Sequence, residues 1–330
     1  MRFGFRFFAV CALLVAGTAA GIVISFSGSS DAAAKKAVRR RVTTACDVVA
    51  GRRLASVHTA PPSDTIAFVR YARGSYAIFL VSARGGPARR LSATPPHAYP
   101  PQRELYQDAP SWSADGTKIA FASDRDGRYG VYVMRADGTH SRRLLVSKGG
   151  NASPSWSPDG RSIVFSEVGA GLFVMRSDGG GVKRITHALF TEDVDPAWSP
   201  DGARIVFVRK EAGVGSALFL IRPDGSGLCE LTPFTATTES PAWSPDGSVV
   251  AYSAGDGHGF GISVVRADGK RRRELTPQAL DFHPAWSPDG RRIAFQRQAT
   301  LYLMDADGTH VRRLTPPRAI DGSPVWRPAA

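Results

Sequence analysis

The chain has 330 residues, enough for one large domain or two ordinary ones, and its 43% apolar content can bury a sizeable core, which excludes overall disorder. Three cysteines exclude a disulfide-framework miniprotein and a four-thiolate zinc site. Lys and Arg number 42 against 29 Asp and Glu, a formal +13 that suggests an anionic partner until its location along the chain is known.

Residues 1–30 read as a targeting segment. Arg2 and Arg6 form a charged start, and residues 7–26 are an apolar run broken only by Thr18, Ser25 and glycines. About 20 residues can cross the roughly 30 Å hydrocarbon core of a bilayer. The run therefore reads either as a retained membrane anchor or as a long signal peptide, with Ala32-Ala33-Ala34 as the small-residue cleavage site. Both place the remainder outside the cytoplasm, although Lys35-Lys36 and Arg39-Arg40-Arg41 would favour the opposite orientation. Cys11 has no lipobox-like sequence before it. Residues 31–62 form a basic linker arm.

The architecture follows from a repeat. PSWSADG (110–116), PSWSPDG (154–160) and three copies of PAWSPDG (196–202, 241–247, 284–290) precede a closing PVWRP at 324–328. All the tryptophans lie in it, at 112, 156, 198, 243, 286 and 326, spaced 44, 42, 45, 43 and 40 residues apart. Each period continues with a β-branched and aromatic run such as Ile163-Val164-Phe165, then a run ending in Asp-Gly, then a short run ending in Leu-Thr or similar. Pro-Asp-Gly and Asp-Gly between apolar runs are hairpin turns, so one period is four antiparallel strands. Residues 64–92 supply the second to fourth strands of a blade that lacks its Trp strand, and 324–328 supply that strand. The prediction for 63–330 is an all-β, six-bladed propeller of four-stranded blades, closed by pairing the two ends of the repeat region and thus without an open seam.

These residues resemble the WD40-like (PD40) repeats of the TolB family of periplasmic propellers, over about 64–328. The resemblance implies a monomeric, extracytoplasmic propeller with a binding role. It does not extend to the α/β domain that precedes the propeller in TolB, for which residues 31–62 leave no room.

The turns between strands one and two and between strands three and four share one face. There Asp159, Asp201, Asp246 and Asp289 are expected to make Asx-type turn bonds; no EF-hand-like spacing surrounds them. Connectors between blades share the opposite face, where sequence varies as in binding loops. The longest, 93–109, holds Tyr99, Tyr106 and Asp108. With Asp193, Asp195, Glu239, Asp281, His283 and Asp321, these are the candidate binding residues, and the acids are expected to form a solvated ring around one channel mouth. Oxygen ligands with one imidazole can hold a divalent cation, but no metal or cofactor is assigned. Base pairs such as Arg89-Arg90, Arg142-Arg143, Lys183-Arg184 and Arg312-Arg313 fall on the outermost strands, where charge discourages edge-to-edge pairing or meets anionic lipid or envelope polymer. Cys46 and Cys229 are a candidate disulfide in an oxidising compartment.

The functional expectation is a non-catalytic extracytoplasmic scaffold binding a protein or envelope component on the connector face. The alternative is a lyase- or hydrolase-type enzyme, or a metal-binding protein, working at the channel mouth. No G-x-S-x-G elbow, HExxH or phosphate loop is present. Nucleic acid is not an expected partner, because no recognition helix, RNA platform or zinc motif accompanies the charge. Residues 1–60 carry nine bases and two acids, so more than half of the +13 belongs to the targeting segment and arm.

Overall fold

The computed structural model describes Cys46 and residues 63–72, 75–92, 107–146, 150, 153–187, 191–255, 259–277, 279–317 and 319–329. The targeting segment, most of the arm, Tyr99 and Tyr106 lie outside the described residues. No helix among those described is long and apolar enough to cross a membrane.

Blade 1 takes β1 (Thr65–Ala72), β2 (Ser75–Ser82) and β3 (Arg89–Arg90). Blade 2 is β4 (Gln107–Trp112), β5 (Lys118–Ser123), β6 (Gly130–Arg135) and β7 (Arg142–Val146). Blade 3 is β8 (Ser155–Trp156), β9 (Ser162–Glu167), β10 (Gly171–Arg176) and β11 (Lys183–Arg184). Blade 4 is β12 (Thr191–Trp198), β13 (Ile205–Glu211), β14 (Gly215–Ile221) and β15 (Cys229–Glu230). Blade 5 is β16 (Thr237–Trp243), β17 (Val249–Gly255), β18 (Phe260–Arg266) and β19 (Arg273–Glu274). Blade 6 is β20 (Asp281–Trp286), β21 (Arg292–Arg297), β22 (Thr300–Asp305) and β23 (Arg312–Arg313). The last strand, β24 (Ile320–Trp326), pairs antiparallel with β1 and completes blade 1, in the order β24-β1-β2-β3. The first strands of successive blades adjoin one another around a ring, β24 to β4, β8, β12, β16, β20 and back to β24. This is the six-bladed propeller that the tryptophan spacing predicts.

Each repeated residue has a mechanical task. In the Ser-Pro-Asp-Gly turns the Ser157 hydroxyl donates to Asp159 at 2.5 Å and accepts from the Ser162 amide at 2.9 Å, while the Arg161 amide donates to Asp159 at 3.0 Å. The same triangle recurs at Ser199, Ser244 and Ser287 with Asp201, Asp246 and Asp289. The Thr of the Leu-Thr pair accepts from a third-strand amide: Thr186 from Leu172, Thr232 from Leu218 and Thr276 from Ile262, all at 2.9 Å. A short fourth strand cannot satisfy that buried donor by ladder pairing alone, and a buried amide left unmade is costly. Indole Nε1 of Trp326 donates to Ala285 O at 3.1 Å and that of Trp243 to Ala197 O at 3.2 Å, so these tryptophans stitch a blade to the one before it.

Core residues lie between blades. One cluster joins Ile66, Phe68 and Trp326 of blade 1 to Ala294, Leu301 and Leu303 of blade 6. The Asp-Gly turn glycines also serve this packing. Gly138 has φ +91°, and a Cβ there would collide with the Leu91 carbonyl of blade 1. Both the left-handed backbone and the close approach require glycine.

Candidate functional site at the channel mouth

A bulge shapes the innermost strands. Three residues before the tryptophan, Ala109, Asp195, Ser240, His283 and Ser323 adopt φ between 48° and 53°, a region that non-glycine residues seldom enter. Pairing register shifts at the same places, between Val194 and Ala197 in β12 and between Phe282 and Ala285 in β20. On a regular strand, residues two apart share a face. Here the bulge sends Asp193 and Asp195 to different surroundings.

Asp193, Asp281 and Asp321, five residues before their tryptophans, have side chains with no exposure to solvent. Each faces an arginine of the second strand in a two-pronged ion pair. Arg209 donates to Asp193 at 2.7 and 2.8 Å, Arg297 to Asp281 at 2.7 and 2.8 Å, and Arg70 to Asp321 at 2.6 and 2.8 Å. Every one of these guanidiniums also lies over an aromatic pair: Arg209 is 4.8 Å from the Phe219 centroid, Arg70 5.1 Å from Phe79 and Arg297 5.3 Å from Tyr302. A planar fork that pairs and stacks at once is a task for arginine rather than lysine. Asp281 holds the Arg297 proton more tightly than usual, against the opposing effect of burial. The expectation of a solvated ring of carboxylates is therefore corrected for these three acids: they are internal, neutralised struts. Sequence reading missed their arginines, although the three blades with this Asp are the blades with an Arg ending the Phe-x-Arg run of strand two.

Asp195, Glu239 and His283 differ. They are half-buried, come from the innermost strands of three adjacent blades, and have no such strut. Ser153 of blade 3 donates to Asp195 Oδ1 at 3.2 Å, and the Ser240 amide of blade 5 donates to its Oδ2 at 3.3 Å. Burial, then the neighbouring Asp195 charge, pushes the Glu239 carboxyl up, while Lys210 and His283 oppose the rise. His283 Nδ1 lies 3.2 Å from Gln296 Oε1, whose own amide nitrogen donates to Gln298 O at 2.7 Å. The amide oxygen can only accept, so Nδ1 donates and Nε2 is left for a ligand. The cluster can thus accept hydrogen bonds from, and place negative charge beside, a donor group entering the mouth. Among the described residues, no three His, Cys, Asp or Glu side chains converge as a metal site. Asp108 lies in β4, and Tyr99 and Tyr106 are in the undescribed connector.

Opposite in character is the turn face. Its carboxylates are occupied, and the Ser157 hydroxyl followed by the Arg161 amide holds Asp159 below the usual carboxylate range. A cavity of about 210 Å³ between the turns of blades 2 and 3 is lined by Ser113, Asp115, Lys118 and Asp159, much of it the turn machinery itself. At the rim, Cys46 is disulfide-bonded to Cys229 of β15, with Cα atoms 5.5 Å apart.

The structure resembles solved propellers. TolB from Acinetobacter baumannii is 23% identical with a TM-score of 0.69, covering 82% of this chain and 68% of that one. A putative TolB from Agrobacterium tumefaciens is 22% identical with a TM-score of 0.60, covering 79% and 91%. A chain of a nidogen/laminin complex, 10% identical, has a TM-score of 0.65 over 80% and 99%. At these identities the likeness is one of fold. The PD40 family, the TolB beta propeller domain, matches residues 52–283. The chain belongs to the PD40 family of TolB beta-propeller domains.

Proposed function

We propose that this protein is a non-catalytic, extracytoplasmic interaction scaffold that binds a protein or envelope component through the connector face, centred on Asp195, Glu239 and His283. One contrast carries the reading. The acids that hold the blades are buried and paired with arginine, whereas these three groups are presented without struts from the innermost strands, Asp195 and His283 at backbone positions that non-glycine residues seldom occupy and Glu239 directly before another, Ser240. Strained positions that persist in an otherwise regular frame concentrate at binding sites. Membership of a TolB-like family supports protein interaction as the general role, and an exported location agrees with residues 1–30 as a targeting segment.

A photo-crosslinking residue placed at Phe282 or Thr237, on the connector side, should capture a partner in intact cells, and Asp195→Ala with Glu239→Ala should abolish the adduct. The same residue at Thr117 or Arg161, on the turn face, should give none. Adducts of equal yield from both faces would refute the proposed surface.

A further inference from the structure

The base pairs on the outer strands do two jobs at once. Arg273 of blade 5 donates to Asp307 O of blade 6 at 3.1 Å, and Arg312 of blade 6 donates to Ala83 O of blade 1 at 2.6 Å. Lys183 of blade 3 reaches Asp224 O of blade 4 in the same way, at 3.3 Å. Arg273, Arg312 and Lys183 are thus clips onto the next blade, and each uses one of several N–H donors. A guanidinium has five, so the clipped arginines remain exposed with donors to spare, held in place by the frame.

Across blades 5, 6 and 1 this produces a continuous flank. Arg271 to Arg273, Arg312, Arg313, Arg89 and Arg90 are all exposed, with Glu274 the one acid within those stretches. The pattern stops at blade 4, whose outer strand is Cys229-Glu230 and is met by Cys46. We infer that the outer flank of blades 5, 6 and 1 binds a linear polyanion, a polymer with phosphate or sulfate groups repeated along its length. A small anion would meet one blade only; a polymer meets three in succession, and each contact releases counterions. A bilayer fits less well. Val311 is the one large apolar side chain exposed on this flank among the described residues, and interfacial membrane binding needs aromatic or leucine anchors beside the charge.

The side chains of Arg89, Arg271 and Arg313 make no hydrogen bond or ion pair among the described residues, so exchanging them leaves the clips intact. The full-length protein and its R89Q/R271Q/R313Q variant are titrated with long-chain inorganic polyphosphate from about 50 to 200 mM salt. The variant should bind about tenfold more weakly at the lower salt, and its log–log salt slope should be shallower by about two. A control variant losing equal charge from the turn face, R135Q/R161Q/R291Q, should stay within about twofold of the parent on the same electrostatic reasoning. Equal weakening in the two variants, or no binding by the parent protein, would overturn the inference. So would preferential binding to phosphatidylglycerol vesicles that the flank substitutions abolish, which would assign the flank to lipid. Thermal melts of both variants, matching the parent, show that the comparison is between folded proteins.

Discussion

Asp281 and Arg297 face each other across β20 and β21, and their two hydrogen bonds of 2.7 and 2.8 Å hold a carboxylate with no solvent exposure. The same relationship joins Asp193 to Arg209 and Asp321 to Arg70, so half of the blades carry the strut. Removing only the arginine strands a buried charge. Arg297→Met should lower the stability of the fold by about 3 kcal/mol. The double substitution Asp281→Asn with Arg297→Gln, which leaves no charge behind, should be less damaging than the single one. Guanidinium unfolding monitored by tryptophan fluorescence checks the order; a double variant weaker than Arg297→Met would contradict the strut model.

Glu239 and Asp159 respond to pH with opposite signs. Asp159 has a folded pKa below its ordinary 3.8, so its stabilisation is present above that value and is lost as pH falls through the folded pKa. Glu239 has a folded pKa above its ordinary 4.5, so the folded state binds the extra proton, and stability declines as pH rises from 4.5 through the folded value. Glu239→Gln should therefore raise the melting temperature at neutral pH, and the gain should vanish below about pH 4, where both states are protonated. Melts at pH 7 and pH 4 decide it, and an unchanged or lower Tm at pH 7 would show that Glu239 is not held at a cost.

Gly138 and Gly160 both have positive φ, but only Gly138 also presses on a neighbouring blade; nothing lies within 4 Å of a Cβ at Gly160. Gly160→Ala should cost about 1–2 kcal/mol, the left-handed strain alone. Gly138→Ala must also push Leu91 away, and should lose at least about 2 kcal/mol more, in the range of an overpacked core. Equal losses at the two sites would mean that the Asp-Gly turns do not help to join the blades.

The Cys46–Cys229 bond spans 183 residues of sequence. Cys229→Ser should lower stability by about 2–5 kcal/mol, and reductant should destabilise the parent protein but not the variant. Calorimetry with and without reductant is the measurement; indifference of the parent to reductant would deny the bond a structural role.

The propeller was legible because Trp, Asp-Gly and Leu-Thr mark one corner each of a repeating frame, and a repeat reports its own period. The joining of the two ends of the repeat region was legible for the same reason: 64–92 lack a tryptophan strand and 324–328 are one. Division of the acids was not. Asp193 and Asp195 look equivalent in the sequence, and only the left-handed residue at 195 and the shift in pairing separate a buried strut from a presented carboxylate. A bulge has no composition of its own here, since alanine, serine, aspartate and histidine all occupy it. The arginine partners could have been found by comparing blades within the chain, because Arg70, Arg209 and Arg297 occur only where an Asp stands five residues before the tryptophan.

The pairing of β24 with β1 also sets a timetable. Arg70 and Asp321 are 251 residues apart, so Arg70 emerges early and waits for its counter-charge until the rest of the ring has been synthesised. Until then β1 has a bare edge, and blade 1 lacks its tryptophan. A chain that stops before residue 320 keeps an unpaired strand edge and an arginine without its counter-charge, and an edge of that kind is a template for pairing with other chains.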